Sequence, residues 1–89
     1  MRTSFKKSFA KDLKAHSKNK SLLARVEETI LQVESAVTIT DIKNLKKLKV
    51  EGLYYRIKIG DYRKGLTITD NMVTFVRVLH RKEIYRFFP

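Results

Sequence analysis

The chain has 89 residues, of which 20 are lysine or arginine and 9 are aspartate or glutamate, so its net charge is +11 at pH 7. This length provides one modest hydrophobic core, and we expect a single domain spanning residues 1–89. No cysteine is present, and His16 and His80 have no carboxylates at ligand spacing. We therefore expect neither disulfides nor a metal or other cofactor. The apolar runs are too short for a membrane span or a signal peptide, so we expect a cytoplasmic protein. The large positive charge favours a polyanionic partner.

The first forty residues have the pattern of a short strand followed by two helices. Residues 2–5 are predicted to be an edge strand, and a helix is expected from Ser8 to about His16. A second helix, capped by Asn19 or Ser21, is indicated by apolar residues that recur at helical spacing: Leu23, Val26, Ile30 and Val33. The short polar loop between the helices predicts a helical hairpin.

The second half of the chain has the pattern of a β-meander. Residues 37–50 predict turns with part of an extended segment. Gly60-Asp61 then fits a type II′ turn and Asp70-Asn71 a type I′ turn, because these residues tolerate the positive φ that such turns require. The strand at 72–79 is apolar at nearly every position, which predicts an internal strand covered on both faces. The sequence thus predicts an α+β fold, with an N-terminal helical hairpin packed on a small, mostly antiparallel β-sheet.

The first turn fixes a register that brings basic residues together. It pairs Lys58 with Arg63 and Arg56 with Gly65, and the period of two then places the three cations on one face of the sheet. Like charges directly opposite one another destabilise a sheet. We therefore expect an anion between the cations, with Gly65 leaving space for it beside Arg56. This pattern predicts a phosphate site.

The same register creates one conflict. It places Arg63 opposite Val78, and it places Lys64 opposite Arg77 on the face expected to be apolar. Two explanations stay open. Either both cations lie at a sheet edge and extend their charged ends to water, or a bulge near Gly65 shifts the register.

Further polar residues follow the last strand, at the end of the sheet that carries Lys58 and Arg63. These residues are His80, Arg81 and Tyr85. With Arg56, Lys58 and Arg63 they form a predicted cluster that contains no carboxylate. Arginine binds phosphate oxygens bidentately, histidine transfers protons near neutral pH, and tyrosine stacks on bases or handles a proton. The combination predicts chemistry on a phosphodiester.

Each of these residues also has a purely structural interpretation. The basic residues can form the solvated face of an amphipathic strand. His80 can be a surface or capping residue, and Tyr85 can pack in the core with Phe87 and Phe88.

Two segments, residues 55–63 and 78–86, closely resemble the RelE/ParE superfamily of bacterial and archaeal toxins, and the hairpin followed by a meander matches as well. The resemblance implies a RelE-like fold and a toxin encoded with a cognate antitoxin in a type II toxin–antitoxin system. The RelE branch consists of mRNA interferases that cut messenger RNA, usually in the ribosomal A site. The resemblance to this branch implies two partners besides the antitoxin, which are mRNA and the ribosome at the 16S rRNA region of the A site. We expect no membrane partner and no cofactor.

The resemblance also implies roles for individual residues. Arg56 and Lys58 stand where basic strand residues hold RNA phosphates and help activate the nucleophile, and Arg63 matches the arginine that stabilises charge on the scissile phosphate. Arg56 is often a lysine in relatives. Because arginine stays protonated, it suits phosphate binding better than proton removal.

The C-terminal residues complete the catalytic set that the resemblance implies. Arg81 matches a phosphate ligand or general acid, Tyr85 matches a tyrosine that stacks on or orients the nucleotide, and His80 stands where several relatives have a basic or histidine residue. For metal-free cleavage by the RNA 2′-OH, Lys58 is the predicted base with Tyr85 as the alternative. His80 or Arg81 would protonate the leaving oxygen.

Two other functions stay open at this point. The chain can be a ParE-like, non-catalytic inhibitor of DNA gyrase, although that branch lacks the nuclease residues retained here. It can also be an inactive basic RNA-binding domain, which predicts salt-sensitive binding without cleavage.

Overall fold

The computed structural model describes all 89 residues and contains one five-stranded sheet with helices on both of its faces. The strand order is β1-β5-β4-β3-β2, in which β1 is parallel to β5 and every other pair is antiparallel. The predicted α+β fold is confirmed. The elements are β1 (Arg2–Phe5), α1 (Lys7–Ala15), α2 (Lys20–Ser35), a 3₁₀ helix (Ile39–Asp41), β2 (Leu45–Lys47), β3 (Tyr54–Ile59), β4 (Tyr62–Thr69), β5 (Met72–His80) and α3 (Ile84–Phe87).

Both predicted hairpin turns are present. Gly60 has a φ of +56°, and Asp70 and Asn71 have φ values of +51° and +61°. Consequently Lys58 pairs with Arg63 across the first turn, as expected. These turns are predictable because the φ requirement is local to the residues that meet it.

The main core lies between α1, α2 and one side of the sheet, which we call the helix face. Asn19 caps the start of α2, and its side-chain oxygen accepts a hydrogen bond from the N–H of Leu22 at 3.1 Å. None of the helices combines the length and apolar character of a membrane-spanning segment. The helix face and the two helices bury a common set of side chains that includes Phe9, Val26, Val33, Ile57, Leu66 and Phe75.

A β-bulge resolves the conflict in the predicted register. Between Gly65 and Leu66 the pairing with β5 shifts by one residue, so Gly65 pairs with Arg77 and Lys64 with Val78. The prediction that Arg63 lies opposite Val78 is wrong, because the bulge shifts its partner to Leu79. Of the two explanations for the conflict, the bulge is confirmed.

Helix α1 covers the part of the β5 edge that β1 leaves open. The pairing with β1 ends at Phe75. Beyond that point, the Ser8 hydroxyl donates to the carbonyl of Val76, and the Asp12 carboxylate accepts the N–H of Val78 at 2.9 Å. Helix side chains thus satisfy main-chain groups that would otherwise remain as an exposed strand edge.

The C-terminal segment packs on the other side of the sheet, which we call the opposite face. Ile84 and Phe88 are buried, and a methyl group at Gly65 would come within 2.7 Å of the Phe88 ring. Ile84 begins α3 and Phe88 directly follows it, and both side chains pack against the sheet. Phe87, by contrast, is 53% exposed, and its ring centre lies 5.9 Å from the guanidinium of Arg77.

Candidate functional site

The predicted grouping of cations on one face of the sheet is confirmed. Lys58 and Arg63 form a directly opposed pair next to the Gly60-Asp61 turn, and Arg56 lies opposite Gly65 in the next row of that face. Rows on one face of a sheet are roughly 7 Å apart. The three cations therefore lie within reach of one extended polyanion.

Main-chain carbonyls hold the two guanidinium groups in place. Arg56 Nη1 donates to the carbonyl of Asn44 at 2.8 Å, and Arg63 Nη1 donates to the carbonyls of Gly60 and Tyr62 at 2.8 and 2.9 Å. The Nε of Arg56 is buried without a hydrogen-bond partner. Each guanidinium has five N–H donors, so donors remain for a phosphate group while the carbonyls fix the orientation.

The space expected beside Arg56 is occupied. The predicted register leaves the area above Gly65 open to an anion, but the ring of Phe88 lies there and is edge-on to Tyr54. That prediction is wrong because the C-terminal segment folds back onto the sheet. Any anion on this face must therefore bind nearer the Lys58–Arg63 pair.

The chain after β5 returns to the turn at this end of the sheet. The N–H of Arg81 donates to the carbonyl of Asp61 at 2.7 Å, which places Arg81 beside the Gly60-Asp61 turn. Its side chain is exposed. The expected proximity of Arg81 to the end of the sheet that carries Lys58 and Arg63 is confirmed.

His80 lies at the same end but belongs to the helix face. It pairs with Tyr62, whose ring is edge-on to those of both His80 and His16. The N–H of Lys82 donates to His80 Nδ1 at 3.1 Å, so the neutral ring carries its proton on Nε2. His80 can thus donate a hydrogen bond from Nε2 at the rim of the sheet, while Arg56 and Arg63 lie on the opposite face.

Tyr85 is 59% exposed on α3. This exposure excludes the core-packing interpretation, because the buried positions of the segment are Ile84 and Phe88. The phenol is free to stack on a base or to exchange a proton.

Two further cations adjoin Lys58. Arg25 from α2 and Lys43 line a polar cavity of about 250 Å³ together with Lys58. Asn44 and one acidic residue, Glu28, also line it. Sequence analysis missed both cations, because their proximity depends on how α2 lies against the ends of β2 and β3. No local pattern marks them.

None of these cations forms an ion pair with a carboxylate. The chain's one ion pair joins Arg77 Nε to Asp12 Oδ2 at 2.8 Å, and the hydrogen bonds to Asp12 raise the pKa of Arg77. Arg56, Lys58 and Arg63 have no carboxylate within 4 Å. Their charge therefore remains available to an external anion.

Lys64 is a lysine in the hydrophobic core. It is fully buried on the helix face, where burial lowers its pKa to about 7. Its ammonium donates to Thr29 Oγ1 at 2.7 Å and lies 3.9 Å from the centre of the Phe75 ring. No pattern in the sequence identifies this lysine as a core residue, and its burial separates it from the exposed Lys58.

Comparison with known proteins decides the family. Residues 4–85 match the family model described as the ParE toxin of the type II toxin–antitoxin system parDE. The chain belongs to the RelE/ParE toxin superfamily. The toxin RelE3 of Methanocaldococcus jannaschii is 39% identical to it over 90 residues, which covers all of both chains.

Solved structures of RelE/ParE toxins share the whole fold. A RelB–RelE antitoxin–toxin complex from Methanococcus jannaschii contains a chain that is 37% identical, with a TM-score of 0.71, and the match covers 97% of this chain and 99% of that one. YafQ from E. coli strain BL21(DE3) has a TM-score of 0.75 at 16% identity over 96% of this chain and 99% of its own. The second likeness concerns the fold alone.

Proposed function

We propose that this toxin is an endoribonuclease that cuts messenger RNA on the ribosome and is neutralised by a cognate antitoxin. The observation that carries the proposal is the set of arginines and lysines without carboxylate partners at one end of the sheet. Cations in this arrangement favour the phosphate backbone of RNA. Membership of the RelE/ParE superfamily supports a toxin with such a target.

The proposed reaction is attack of an RNA 2′-OH on the adjacent phosphate. The oxygen–phosphorus bond to the 5′-oxygen breaks, which leaves a 2′,3′-cyclic phosphate on one product and a 5′-OH on the other. The protein must remove the proton of the 2′-OH, stabilise the charged phosphorane and protonate the 5′-oxygen.

The phosphate would bind beside the Lys58–Arg63 pair. The main-chain carbonyls of Gly60 and Tyr62 orient the Arg63 guanidinium, whose other N–H groups would then donate to the phosphorane. Arg56 would bind a neighbouring phosphate from its position one row away. A guanidinium already held in place loses less conformational entropy when it binds the transition state.

Residues in and around the Lys58–Arg63 pair would carry out the two proton transfers. Lys58 is the proposed base, with the exposed Tyr85 as the alternative. Arg81, which adjoins the turn, or His80 as an imidazolium would protonate the leaving 5′-oxygen. Placement of His80 on the helix face favours Arg81 for this role when RNA lies across the opposite face.

The proposal is tested by inducing the chain in cells and mapping the 5′ ends of messenger RNA. We expect new ends within translated frames. These cuts should fall at least about 100-fold in an Arg63→Ala, Arg81→Ala double variant, because each arginine stabilises charge only in the transition state. The matched control is Lys7→Ala, Lys11→Ala, which removes two exposed charges from α1 and should cut normally.

Dependence on the ribosome is tested with the purified chain. A defined messenger RNA is incubated with it in the presence and absence of translating ribosomes. Cleavage that needs ribosomes supports the full proposal, whereas equal cleavage of free RNA leaves the nuclease and overturns the ribosomal site.

The ParE description of the matching family model makes gyrase inhibition the second candidate. Growth arrest with intact messages and altered plasmid supercoiling would overturn the nuclease in its favour. Intact messages, normal supercoiling and salt-sensitive RNA binding would instead identify a binding domain without activity.

A further inference from the structure

Arg25 of α2 lies against the Gly60-Asp61 turn. A methyl group at Gly60 would come within 2.8 Å of Arg25 Nη1, so the absence of a side chain at this position lets the guanidinium approach the turn. Arg63 Nη1 donates to the carbonyl of the same glycine at 2.8 Å. Gly60 therefore adjoins two guanidinium groups, one carried by a helix and one by a strand.

The guanidinium of Arg25 has no partner within the chain. Hydrogen bonds hold the side chains of Arg56, Arg63 and Arg77, but none holds that of Arg25. Two carboxylates, those of Glu28 and Asp61, line the spaces on either side of it, yet neither forms an ion pair with it. A guanidinium is a permanent cation with five N–H donors, and here all of them remain available to an external anion.

This guanidinium forms one wall of the polar cavity beside Lys58, which we call the Arg25–Lys43 cavity. Three cations line it, because Lys43 and Lys58 contribute as well, and Glu28 supplies its one carboxylate. Ile59 is the only hydrophobic residue in the lining. The cavity therefore offers an anion both charge and hydrogen bonds, and it offers almost no surface to an apolar group.

The volume of the cavity limits what it can hold. Pockets that bury a whole small molecule have volumes of roughly 300 to 1,000 Å³, and a water molecule takes about 30 Å³. The Arg25–Lys43 cavity, at about 250 Å³, has room for a phosphate group with part of a sugar. This size indicates that its occupant is one charged unit of a longer ligand.

The cavity adjoins the proposed phosphate site through Lys58. Arg63 pairs with Lys58 from β4, and Asn44 accepts the N–H of Lys58 at 3.3 Å from the other side of β3. Lys58 thus lies between Arg63 and the residues that precede β2. A polyanion that crosses this end of the sheet would meet the Lys58–Arg63 pair first and the cavity next.

We propose that the Arg25–Lys43 cavity binds a further phosphate of the RNA strand that is cut, beyond those assigned to Arg63 and Arg56. The strand would cross the end of the sheet from β4 to the start of β2, with Lys58 between the phosphate at Arg63 and the phosphate in the cavity. This proposal rests on the nuclease function proposed above and adds α2 to the RNA-binding surface. Phosphate contacts of this kind fix the register and orientation of a nucleic acid without reading its sequence.

An acidic protein segment fits the cavity less well than RNA does. A bound peptide gains affinity from pockets for its apolar side chains, and the lining offers only Ile59 to such side chains. The shared Lys58 also makes the cavity continuous with a site proposed to hold a phosphodiester. Both observations favour the RNA backbone as the occupant.

The test measures binding of single-stranded RNA whose 2′-OH groups are methylated, so that cleavage cannot occur. Arg25→Gln removes the charge and keeps a good helix former. We expect the dissociation constant to rise at least about fivefold, and the salt dependence to fall by about 0.7 in log–log slope, the value for one phosphate contact. Lys20→Gln is the matched control, because it removes an exposed cation of the same helix from outside the cavity. Its dissociation constant should rise less than about twofold.

Glu28→Gln tests the cavity in the opposite direction. This change removes the only carboxylate of the lining, so the dissociation constant for the methylated RNA should fall at least about threefold. Glu27→Gln is its control, since it changes the net charge equally at an exposed position outside the cavity. All four variants alter exposed side chains, and unchanged thermal unfolding would separate an effect on binding from an effect on folding.

Equal effects of Arg25→Gln and Lys20→Gln would overturn the cavity as a phosphate site, because net charge alone would then explain the binding. Two further results would overturn the proposed occupant. In one, Arg25→Gln binds the methylated RNA normally and binds ribosomes without messenger RNA more weakly, which would place ribosomal RNA in the cavity. In the other, only binding of the acidic antitoxin is weakened, which would place a protein segment there.

The proposed function can fail separately from this proposal. Intact messages in cells, together with the expected binding of methylated RNA by the wild type and the four variants, would overturn the nuclease and support the cavity. Normal cutting by Arg25→Gln, together with wild-type affinity for the methylated RNA, would overturn the cavity and leave the nuclease.

Discussion

The two faces of the sheet treat positive charge in opposite ways. On the helix face, the ammonium of Lys64 is sealed among aromatic rings and a threonine hydroxyl, and burial lowers its pKa to about 7. On the opposite face, Arg56 and Arg63 are held by main-chain carbonyls without any carboxylate, and Lys58 is exposed. Surroundings, and not residue type, thus decide which cations of this chain can attract an anion.

Asp12 of α1 contacts the edge of β5, and its replacement should have the largest effect on the stability of the sheet. It is 7% exposed and accepts hydrogen bonds from Arg77 Nε, Arg77 Nη2 and the N–H of Val78. Asp12→Ala would leave a guanidinium and a buried main-chain donor without a partner. We expect a loss of about 3 to 5 kcal/mol in the free energy of unfolding, measured by urea titration.

Asp12→Asn is the matched control, because it keeps an acceptor of the same shape and removes the charge. Asp12→Asn should lower the free energy of unfolding by less than Asp12→Ala does. A loss under about 1 kcal/mol for the alanine variant would contradict the role of α1 in completing the β5 edge.

Replacing Lys64 sharpens the comparison from the helix face. Lys64→Met keeps a long side chain of similar volume and removes the ammonium. At pH 7 and below, we expect the free energy of unfolding to rise by roughly 2 to 4 kcal/mol, since no charge has to be buried. Lys58→Met is the control, and its stability should change little because Lys58 is exposed.

The same residue predicts a pH dependence. The pKa of Lys64 is about 7 in the folded chain against an ordinary value of 10.5, so between these values the unfolded chain binds more protons. The free energy of unfolding should therefore rise with pH through this window, with the full cost of burial present below pH about 7. Urea titrations between about pH 6 and pH 9 should show this rise in the wild type and its absence in Lys64→Met.

The smallest expected effect concerns the C-terminal segment that packs on the opposite face. Gly65→Ala would place a methyl group within 2.7 Å of the buried Phe88 ring. We expect the free energy of unfolding to fall by about 1 to 3 kcal/mol and the C-terminal segment to be displaced. Thermal unfolding measures the first effect, and limited proteolysis after β5 measures the second. A second change, Phe88→Leu, should recover part of the loss; equal instability with and without it would refute the contact as the cause.

Local preferences explain why so much of the fold could be predicted. The turns at Gly60-Asp61 and Asp70-Asn71 depend on residues that tolerate positive φ, and each turn fixes the register of the pairs beside it. Helical spacing likewise identified Val26 and Val33 as core positions. These signals need no knowledge of distant parts of the chain.

The remaining features depend on long-range packing. The bulge at Gly65 accompanies the burial of Lys64 and the docking of Phe88, which no local pattern encodes. Asp12 resembles any polar helix residue until its partner, 65 positions away, is placed beside it. For the same reason, sequence analysis grouped Arg56, Lys58 and Arg63 on one face but did not find the ring that covers Gly65.

The position of β1 has a consequence for synthesis of the chain. Arg2–Phe5 is made well before its partner, Met72–Phe75 in β5, which follows 70 positions later. The sheet cannot close around β5 until that strand has been made, and contacts of such long separation form slowly. Pairing of β1 with β5 is therefore a late step when this sheet folds during synthesis.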